Sequence, residues 1–181
     1  MKTESTVMYV LRLALTLLAI NAVVAAALAG VNSSTAPAIA ELTAAKTQEA
    51  IQAVLPGGGE EVDFPETALV STVYASDTGY AVEVTPGGFD NTITMMVGVD
   101  KSGSVLGISI ISHTETAGLG AVAAAGTPAG EAFRNEFVGA TGSVSVSKDG
   151  GEVEAITGAT ITSRAICVGV NAALACAATL G

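Results

Sequence analysis

The chain has 181 residues, which is enough for one compact domain and an appendage, since about 100–200 residues are typical of a domain. Its 17 acidic residues against 7 Lys and Arg give a formal charge of -10 at pH 7. This balance excludes a nucleic-acid-binding surface, which needs clustered cations against phosphates, and it disfavours direct docking of an acidic redox carrier.

The cysteine and histidine content indicates what kind of cofactor the chain can hold. Cys167 and Cys176 lie nine residues apart in a segment predicted to be helical, on opposite sides of the helix, so they cannot bridge each other there. We expect both to be small, buried, apolar residues. His113 is the only histidine and there is no Cys-x-x-Cys spacing. No metal site is therefore predicted, and a redox function would need an organic cofactor.

The first recognisable element is a charge-free stretch over residues 13–31. Its nineteen residues are long enough to cross a bilayer core of about 30 Å, so we predict a transmembrane helix. Lys2 and Arg12 precede it and the next cation is Lys46, which predicts a cytoplasmic amino terminus and an extracytoplasmic domain. A cleaved signal peptide is the alternative, because small residues at 25–29 offer cleavage sites. The length of the apolar run favours a retained anchor.

A second helix and a sheet are predicted beyond the anchor. Thr35 as N-cap and Pro37 in the first turn predict a helix running to about Leu55. Short β-type runs then follow over residues 69–75, 80–85, 92–99 and 105–112. Turn residues at 76–79 and 100–103 separate them in pairs. The centre is therefore predicted to be an antiparallel sheet built from two hairpins.

The carboxyl-terminal third predicts further elements. Residues 131–138 read as a short amphipathic helix that buries Phe133 and Phe137, and residues 143–147 as a strand. Residues 161–179 are apolar nearly all round. Because Arg164 and Asn171 interrupt this segment, burial is preferred over a second membrane span.

The predicted fold class is therefore α+β, an antiparallel sheet with a buried carboxyl-terminal helix behind one transmembrane helix. The predicted organisation is a cytoplasmic tail (1–12), the transmembrane helix (13–31), a connecting helix and linker (32–66) and an extracytoplasmic domain (67–181).

Two segments carry groups suited to binding a cofactor. Residues 154–163 form a glycine-containing loop of hydroxyl residues that runs directly into a helix. A helix start offers free N–H groups and positive potential to a phosphate, although the same hydroxyls of Thr160, Thr162 and Ser163 are also typical of simple helix capping. Residues 113–120 follow a strand and combine polar groups with two glycines. Such a loop can supply backbone hydrogen bonds to a flat cofactor ring, with Leu119 against a ring face.

His113 and Glu115 in that loop are the residue types of a general acid/base pair. A hydrolase would also need a nucleophile, and no Ser or Cys stands in a nucleophile-elbow context.

Together these segments resemble the FMN-binding domain shared by the G subunit of the Rnf ion-translocating complex and the C subunit of the sodium-pumping NADH:quinone oxidoreductase. The resemblance is nearer to the Rnf protein. It spans almost the whole chain, in the following order: the amino-terminal span, Gly79-Tyr80, Pro86-Gly87-Gly88, residues 93–99, residues 113–120, residues 157–163 and the helix that contains Asn171.

The resemblance implies covalent FMN. In this family a flavin transferase takes FMN from FAD and joins its phosphate to the last threonine of a motif like Asp-x-x-Ser/Thr-Gly-Ala-Thr, which is Thr160 here. Further FMN-binding residues are implied at His113, Glu115, Thr116, Gly118, Leu119, Gly120, Lys148, Thr157, Gly158, Ala159, Thr162 and Ser163.

The chain would then be an electron-transfer subunit of a ferredoxin:NAD oxidoreductase complex in the cytoplasmic membrane, with little catalysis of its own. Its expected partners are the other subunits of the complex and the transferase, whereas direct contact with ferredoxin is not expected.

Two positions depart from the family pattern. Glu154 stands where the motif usually has aspartate, and Ala117 where the loop usually has proline. Three alternatives remain at this stage: a subunit of the quinone-reductase type, a stand-alone extracytoplasmic flavoprotein reductase, and a secreted binding domain in which the threonines only cap a helix.

Overall fold

The computed structural model describes residues 3–65 and 67–181. By contacts within the chain it divides into two units, Met1–Ala44 and Ala45–Gly181. The first unit is wholly helical in its described part. The second contains the sheet, the remaining helices and both hydrophobic cores.

Helix α1 spans Thr3–Val54. Its side chains from residue 6 to residue 46 are exposed, and it reaches a mean hydropathy of 2.2 over an 18-residue window, so it is long and apolar enough to cross a membrane. The predicted helix start at Thr35 is wrong. Thr35 lies inside α1, where its hydroxyl donates to the carbonyl oxygen of Val31 at 3.0 Å, and Pro37 is accommodated in the helix interior. The Ala- and Leu-rich residues before Thr35 have high helix propensity, so the helix continues through the position where the local capping signal predicted a new start.

The sheet is an antiparallel meander in which neighbours in sequence are neighbours in space. Its strands are β1 (Glu60–Glu61), β2 (Val70–Ala75), β3 (Gly79–Val84), β4 (Thr94–Asp100) and β5 (Val105–Ser112). Both predicted hairpins are confirmed, and β1 is an additional edge strand that its two-residue length hid from the sequence. At the β4–β5 turn, Asp100 accepts hydrogen bonds from the backbone of Ser102 and Ser104 at 2.9 and 2.8 Å. The hydrogen bond from the Ser102 hydroxyl, followed by these backbone bonds, lowers the pKa of Asp100.

Apolar side chains cover both faces of the sheet. On one face Val82, Met95 and Val97 pack in the main core with the carboxyl-terminal helix. On the other, Ala81 and Met96 pack with the last turns of α1 around Ile51. Because both faces are covered, β4 reads as a nearly continuous buried run and not as a strict alternation.

Between β5 and the last helix the chain is mostly irregular. A 3-10 turn spans Gly120–Ala124, α2 spans Pro128–Asn135, and a second 3-10 turn spans Ser147–Asp149. Helix α2 begins three residues before its predicted start because Thr127 caps it, accepting a hydrogen bond from the Gly130 N–H at 3.3 Å.

Two predictions about this region have different outcomes. The aromatic pair is confirmed: Phe133 and Phe137 are buried, with ring centroids 5.4 Å apart and nearly perpendicular planes. The predicted strand at residues 143–147 is wrong. The backbone N–H and C=O of Val144 are both taken by the Asn171 side chain, at 2.7 and 2.8 Å, so they join no strand ladder.

Helix α3 spans Thr160–Leu180. Its hydropathy alone would allow a membrane span, but 61% of its most apolar window is buried inside the protein, which confirms the predicted burial. Cys167 and Cys176 are free, as expected from their spacing, and both are buried on it, as expected for small apolar residues. Burial, followed by the charge of Asp149, raises the pKa of the Cys167 thiol to about 11.

Candidate functional site

The hydroxyl-rich loop enters α3 through a tight turn. The Ala159 N–H donates to the carbonyl oxygen of Ile156 at 2.9 Å, and Gly158 adopts a φ of 78°, a left-handed conformation that favours glycine. A Cβ at Gly158 would also lie 2.9 Å from Cδ2 of Leu119. Thr160 is then the first residue of the helix, and its side chain is half-buried.

The hydroxyls at this junction do not serve as N-caps. The N-cap residue is Ala159, whose methyl side chain cannot accept a hydrogen bond. The hydroxyl of Thr162 donates to Glu115, while that of Ser163 donates to the Ala159 carbonyl and accepts from the Ile156 N–H, each at 3.1 Å. The interpretation of these residues as mere capping groups is therefore wrong, and no side chain of the described residues caps the first turn.

A cation stands beside the Thr160 hydroxyl. The ammonium of Lys148 donates to Thr160 Oγ1 at 3.1 Å. The 3-10 turn that carries Lys148 is fixed to α3 by Arg164, whose Nε and Nη2 each lie 2.6 Å from a carboxylate oxygen of Asp149. This bidentate bond lowers the pKa of Asp149 and raises that of Arg164. Because both side chains are close to half exposed, the pair positions the turn more than it stabilises the fold.

Glu115 is a buried carboxylate, 7% exposed, that joins three segments. Its Oε1 accepts from the Phe89 N–H at 2.8 Å and the Asp90 N–H at 3.4 Å. Its Oε2 accepts from the hydroxyl of Thr162 in the first turn of α3. A Cβ at Gly88 would overlap Oε1, so the glycine is needed for this close approach. One carboxylate thus fixes the 86–92 turn and the start of α3 relative to the 113–120 loop.

These segments enclose a cleft of about 310 Å³, which lies within the size range of small-molecule and cofactor sites. The residues that line it come from the 86–92 turn, the 113–120 loop, the 3-10 turn at Lys148 and the start of α3. They are Phe89, Glu115, Thr116, Leu119, Gly120, Lys148, Gly158, Ala159, Thr160, Ile161 and Thr162.

The cleft fits a flavin phosphate in its chemistry. The Thr160 hydroxyl, the Lys148 ammonium and the start of α3 come together in the lining, which suits an ester-linked phosphate. The rest of the lining combines apolar side chains with backbone polar groups, as a flat heteroaromatic ring requires.

Five of the sequence-predicted residues lie outside the lining of this cleft. Gly118 and Thr157 are exposed in the flanking turns, and Ser163 is buried behind the helix start. Glu154 is exposed, and its N–H donates to Glu136 Oε2 at 2.5 Å. His113 lines a separate cavity of about 450 Å³ with Lys46 and Glu49. Within the part of the chain that the structure describes, its buried Nδ1 has no hydrogen-bond partner. The roles of all the sequence-predicted site residues in FMN binding, inside and outside the cleft, stay predictions.

Two lining residues were missed from the sequence. Phe89 is 65% exposed and Ile161 is 50% exposed. Phe89 directly follows the Pro86-Gly87-Gly88 segment of the resemblance, which was not assigned a binding role, and Ile161 reads as one more apolar position of a buried helix. The sequence signal for Phe89 was an aromatic residue in a loop, outside any predicted strand or helix that could bury it in the core. Across residues 3–65 and 67–181, no group of three or more His, Cys, Asp and Glu side chains could hold a metal ion.

The class of protein follows from this cleft and from a family comparison. Residues 88–175 match the model of the FMN-binding domain, a range that includes every residue of the cleft lining.

Two relatives align over nearly the whole chain and a third over about half of it. It is 33% identical over 186 residues to the G subunit of the Na(+)-translocating ferredoxin:NAD(+) oxidoreductase complex of Acetobacterium woodii, an alignment that covers 90% of this chain and 88% of the relative. It is 32% identical to the G subunit of the ion-translocating oxidoreductase complex of Methanosarcina acetivorans, covering 88% and 89% of the two chains. It is 36% identical over 106 residues to the G subunit of the proton-translocating ferredoxin:NAD(+) oxidoreductase complex of Clostridium ljungdahlii, covering 56% and 57%.

The chain belongs to the family of G subunits of ion-translocating oxidoreductase complexes, which confirms the resemblance to the Rnf protein. It is an FMN-binding, electron-transfer subunit of a multi-subunit oxidoreductase, and its amino-terminal helix is long and apolar enough for a single membrane anchor.

Proposed function

We propose that the chain carries FMN as a phosphoester on Thr160 and relays electrons within a membrane-bound ferredoxin:NAD oxidoreductase that translocates ions. The observation that carries this proposal is the position of the Thr160 hydroxyl. It lines the cleft at the start of α3, and the Lys148 ammonium lies 3.1 Å away. The G subunits of A. woodii and C. ljungdahlii are named for complexes of this activity.

Attachment requires a hydroxyl that another enzyme can reach. In the proposed step Thr160 Oγ1 forms a bond to the phosphorus of the FMN half of FAD, the P–O bond to the AMP half breaks, and AMP leaves. The hydroxyl proton is released to water. Lys148 and the N–H groups of the first α3 turn would hold the single negative charge of the resulting phosphodiester. The exposed loop residues Thr157 and Gly158 leave the approach open to a flavin transferase.

Bound FMN supplies reversible electron transfer, which none of the side chains in the cleft can provide. The protein positions it. Glu115 orders the loops around the cleft through its hydrogen bonds to Phe89 and Thr162, and Leu119 packs over Gly158 next to the attachment point. A covalent link would prevent loss of the cofactor outside the cytoplasm. For that location we infer a cytoplasmic amino terminus and an extracytoplasmic domain, since Lys2 and Arg12 precede the apolar run.

The test is production of the full chain beside its flavin transferase, followed by a denaturing gel viewed for flavin fluorescence. Wild type should retain fluorescence in the band, and Thr160→Ala should lose it. Thr160→Ser, which keeps a hydroxyl, should restore at least part of it.

A matched control is Thr179→Ala at the other end of α3, where the hydroxyl donates to the Cys176 carbonyl. It should be labelled as wild type is. A wild-type band without flavin, or a Thr160→Ala band with it, would refute the proposal. The first of those outcomes would favour a binding domain that carries no covalent flavin.

A further inference from the structure

Phe89 lines the cleft and lies on a turn that two backbone hydrogen bonds close. The turn closes with a hydrogen bond from the Gly88 N–H to the Asn91 carbonyl at 2.7 Å and one from the Ile93 N–H to the Pro86 carbonyl at 2.9 Å. Pro86 is buried at the base, whereas the Phe89 side chain is 65% exposed. The backbone of this aromatic residue is therefore fixed, while its ring is not among the described residues that pack in either hydrophobic core.

The position of Phe89 depends on the same carboxylate that holds the attachment helix. Glu115 Oε1 accepts from the Phe89 N–H at 2.8 Å, and Oε2 accepts from the hydroxyl of Thr162, two residues beyond Thr160. Because Glu115 is 7% exposed and lies against Gly88, neither bond can be exchanged easily for water. The geometry thus couples the placement of Phe89 to the placement of Thr160.

We infer that Phe89 forms an aromatic wall of the subsite for the isoalloxazine ring, with Glu115 as the residue that positions it. This inference rests on the proposed function, because it needs the phosphate end of FMN to lie at Thr160. A ring tethered there would enter a cleft whose other apolar lining side chains, Leu119, Ala159 and Ile161, are aliphatic. Phe89 is the one aromatic residue of the lining, and flat π-systems prefer aromatic partners in offset or edge contact.

The first test uses the distance dependence of flavin quenching. Indole quenches flavin fluorescence by electron transfer at contact distance, so Phe89→Trp in the flavin-loaded full chain should remove most of the fluorescence of the folded protein. Unfolding in denaturant should restore it. Val138→Trp is the control, because Val138 is 53% exposed and lines a different cavity, and it should leave the fluorescence unchanged.

The second test measures affinity and does not need covalent loading. The full chain made without the transferase is titrated with FMN, and Phe89→Ala should bind about tenfold more weakly than wild type, whereas Phe89→Tyr should stay close to wild type. Glu115→Gln should also weaken binding. The amide NH2 group replaces one carboxylate oxygen, so either the Phe89 N–H or the Thr162 hydroxyl would face a donor in place of an acceptor.

The inference is overturned if Phe89→Trp is as fluorescent as wild type, or if Phe89→Ala binds FMN with unchanged affinity. Failure of the proposed function looks different, because wild type would then carry no flavin on the denaturing gel.

Discussion

At the scale of single residues, the hydrogen bond between Lys148 and Thr160 has the most direct chemical meaning. The ammonium lies 3.1 Å from the hydroxyl oxygen that we propose as the attachment atom. Charge-assisted hydrogen bonds of this kind are about twice as strong as neutral ones. Its loss would act on the reaction that forms the phosphoester and not on the core, because Lys148 is exposed.

We therefore expect Lys148→Met to slow attachment of FMN about tenfold, which corresponds to roughly 1.4 kcal/mol, the low end for a hydrogen bond to a charged group. The measurement is a time course of in-gel flavin fluorescence with purified transferase and FAD. Lys101→Met, in the exposed β4–β5 turn, removes an equal charge far from the cleft in sequence and should load at the wild-type rate. Equal rates for the two variants would contradict a role of Lys148 at the attachment site.

Cys167 gives a pH-dependent prediction. Its pKa is raised to about 11 by burial, so the folded state holds the thiol proton more tightly than the unfolded state does, whose thiol has a pKa of about 8.5. Stability from this group is therefore fully present below pH of about 8.5 and is lost as the pH rises towards 11.

The free energy of unfolding of wild type should fall more steeply than that of Cys167→Ala between pH of about 9 and 11, by about 2–3 kcal/mol in total. Pulse proteolysis of the reduced full chain in detergent, repeated across this range, measures the difference. Parallel pH profiles for the two proteins would show that the thiol is not shielded in the folded state.

At the scale of elements, Asn171 explains why one predicted strand does not form. Its amide donates to the carbonyl of Val144 at 2.8 Å and accepts from the N–H of the same residue at 2.7 Å. One side chain on α3 thus takes the place of a neighbouring strand for this residue. The interaction keeps the extended segment before Lys148 against α3, and with it the turn that reaches Thr160.

Replacing Asn171 by Leu, which has a similar volume, leaves both backbone groups of Val144 without these partners. The expected cost is about 2–3 kcal/mol, from two part-buried polar groups that lose a hydrogen bond. Asn135→Leu at the exposed end of α2 is the control and should change stability by less than about 0.5 kcal/mol. Equal susceptibility of the two variants to pulse proteolysis would rule out this structural role.

The elements that could be predicted from sequence are those with a local signal. The β-hairpins have alternating apolar residues and turn chemistry, and α3 has a long apolar run, so both were found within one or two residues. The strand at 143–147 was predicted wrongly because the decisive partner, Asn171, is 27 residues from Val144. The same limit applies to the site: residues 154–163 are adjacent in sequence and suggested the proposed phosphate-binding position, whereas the Glu115 to Phe89 bond joins residues 26 apart.

At the scale of the whole molecule, the chain combines a helix that exposes its apolar side chains with a sheet domain that buries most of its own. Helix α1 exposes large apolar side chains along residues 7–42, which water would not support but a bilayer would. Helix α3, although apolar, is mostly buried in the domain. One membrane crossing is therefore enough to account for both helices, and the sidedness of that crossing decides where the flavin operates.

The positive-inside bias predicts that the domain faces the extracytoplasmic side. Cysteine labelling can test this, because both native cysteines are buried and protonated at neutral pH and should react poorly in the folded chain. Lys101→Cys places a thiol in the exposed β4–β5 turn, and Thr3→Cys places one before the apolar run. In intact spheroplasts a membrane-impermeant maleimide should label the first variant and not the second, and both should react once detergent opens the membrane.

Labelling of Thr3→Cys alone in intact spheroplasts would mean the opposite orientation, with the proposed FMN domain in the cytoplasm. In that case a covalent link could no longer be explained as protection against loss of the cofactor to the outside.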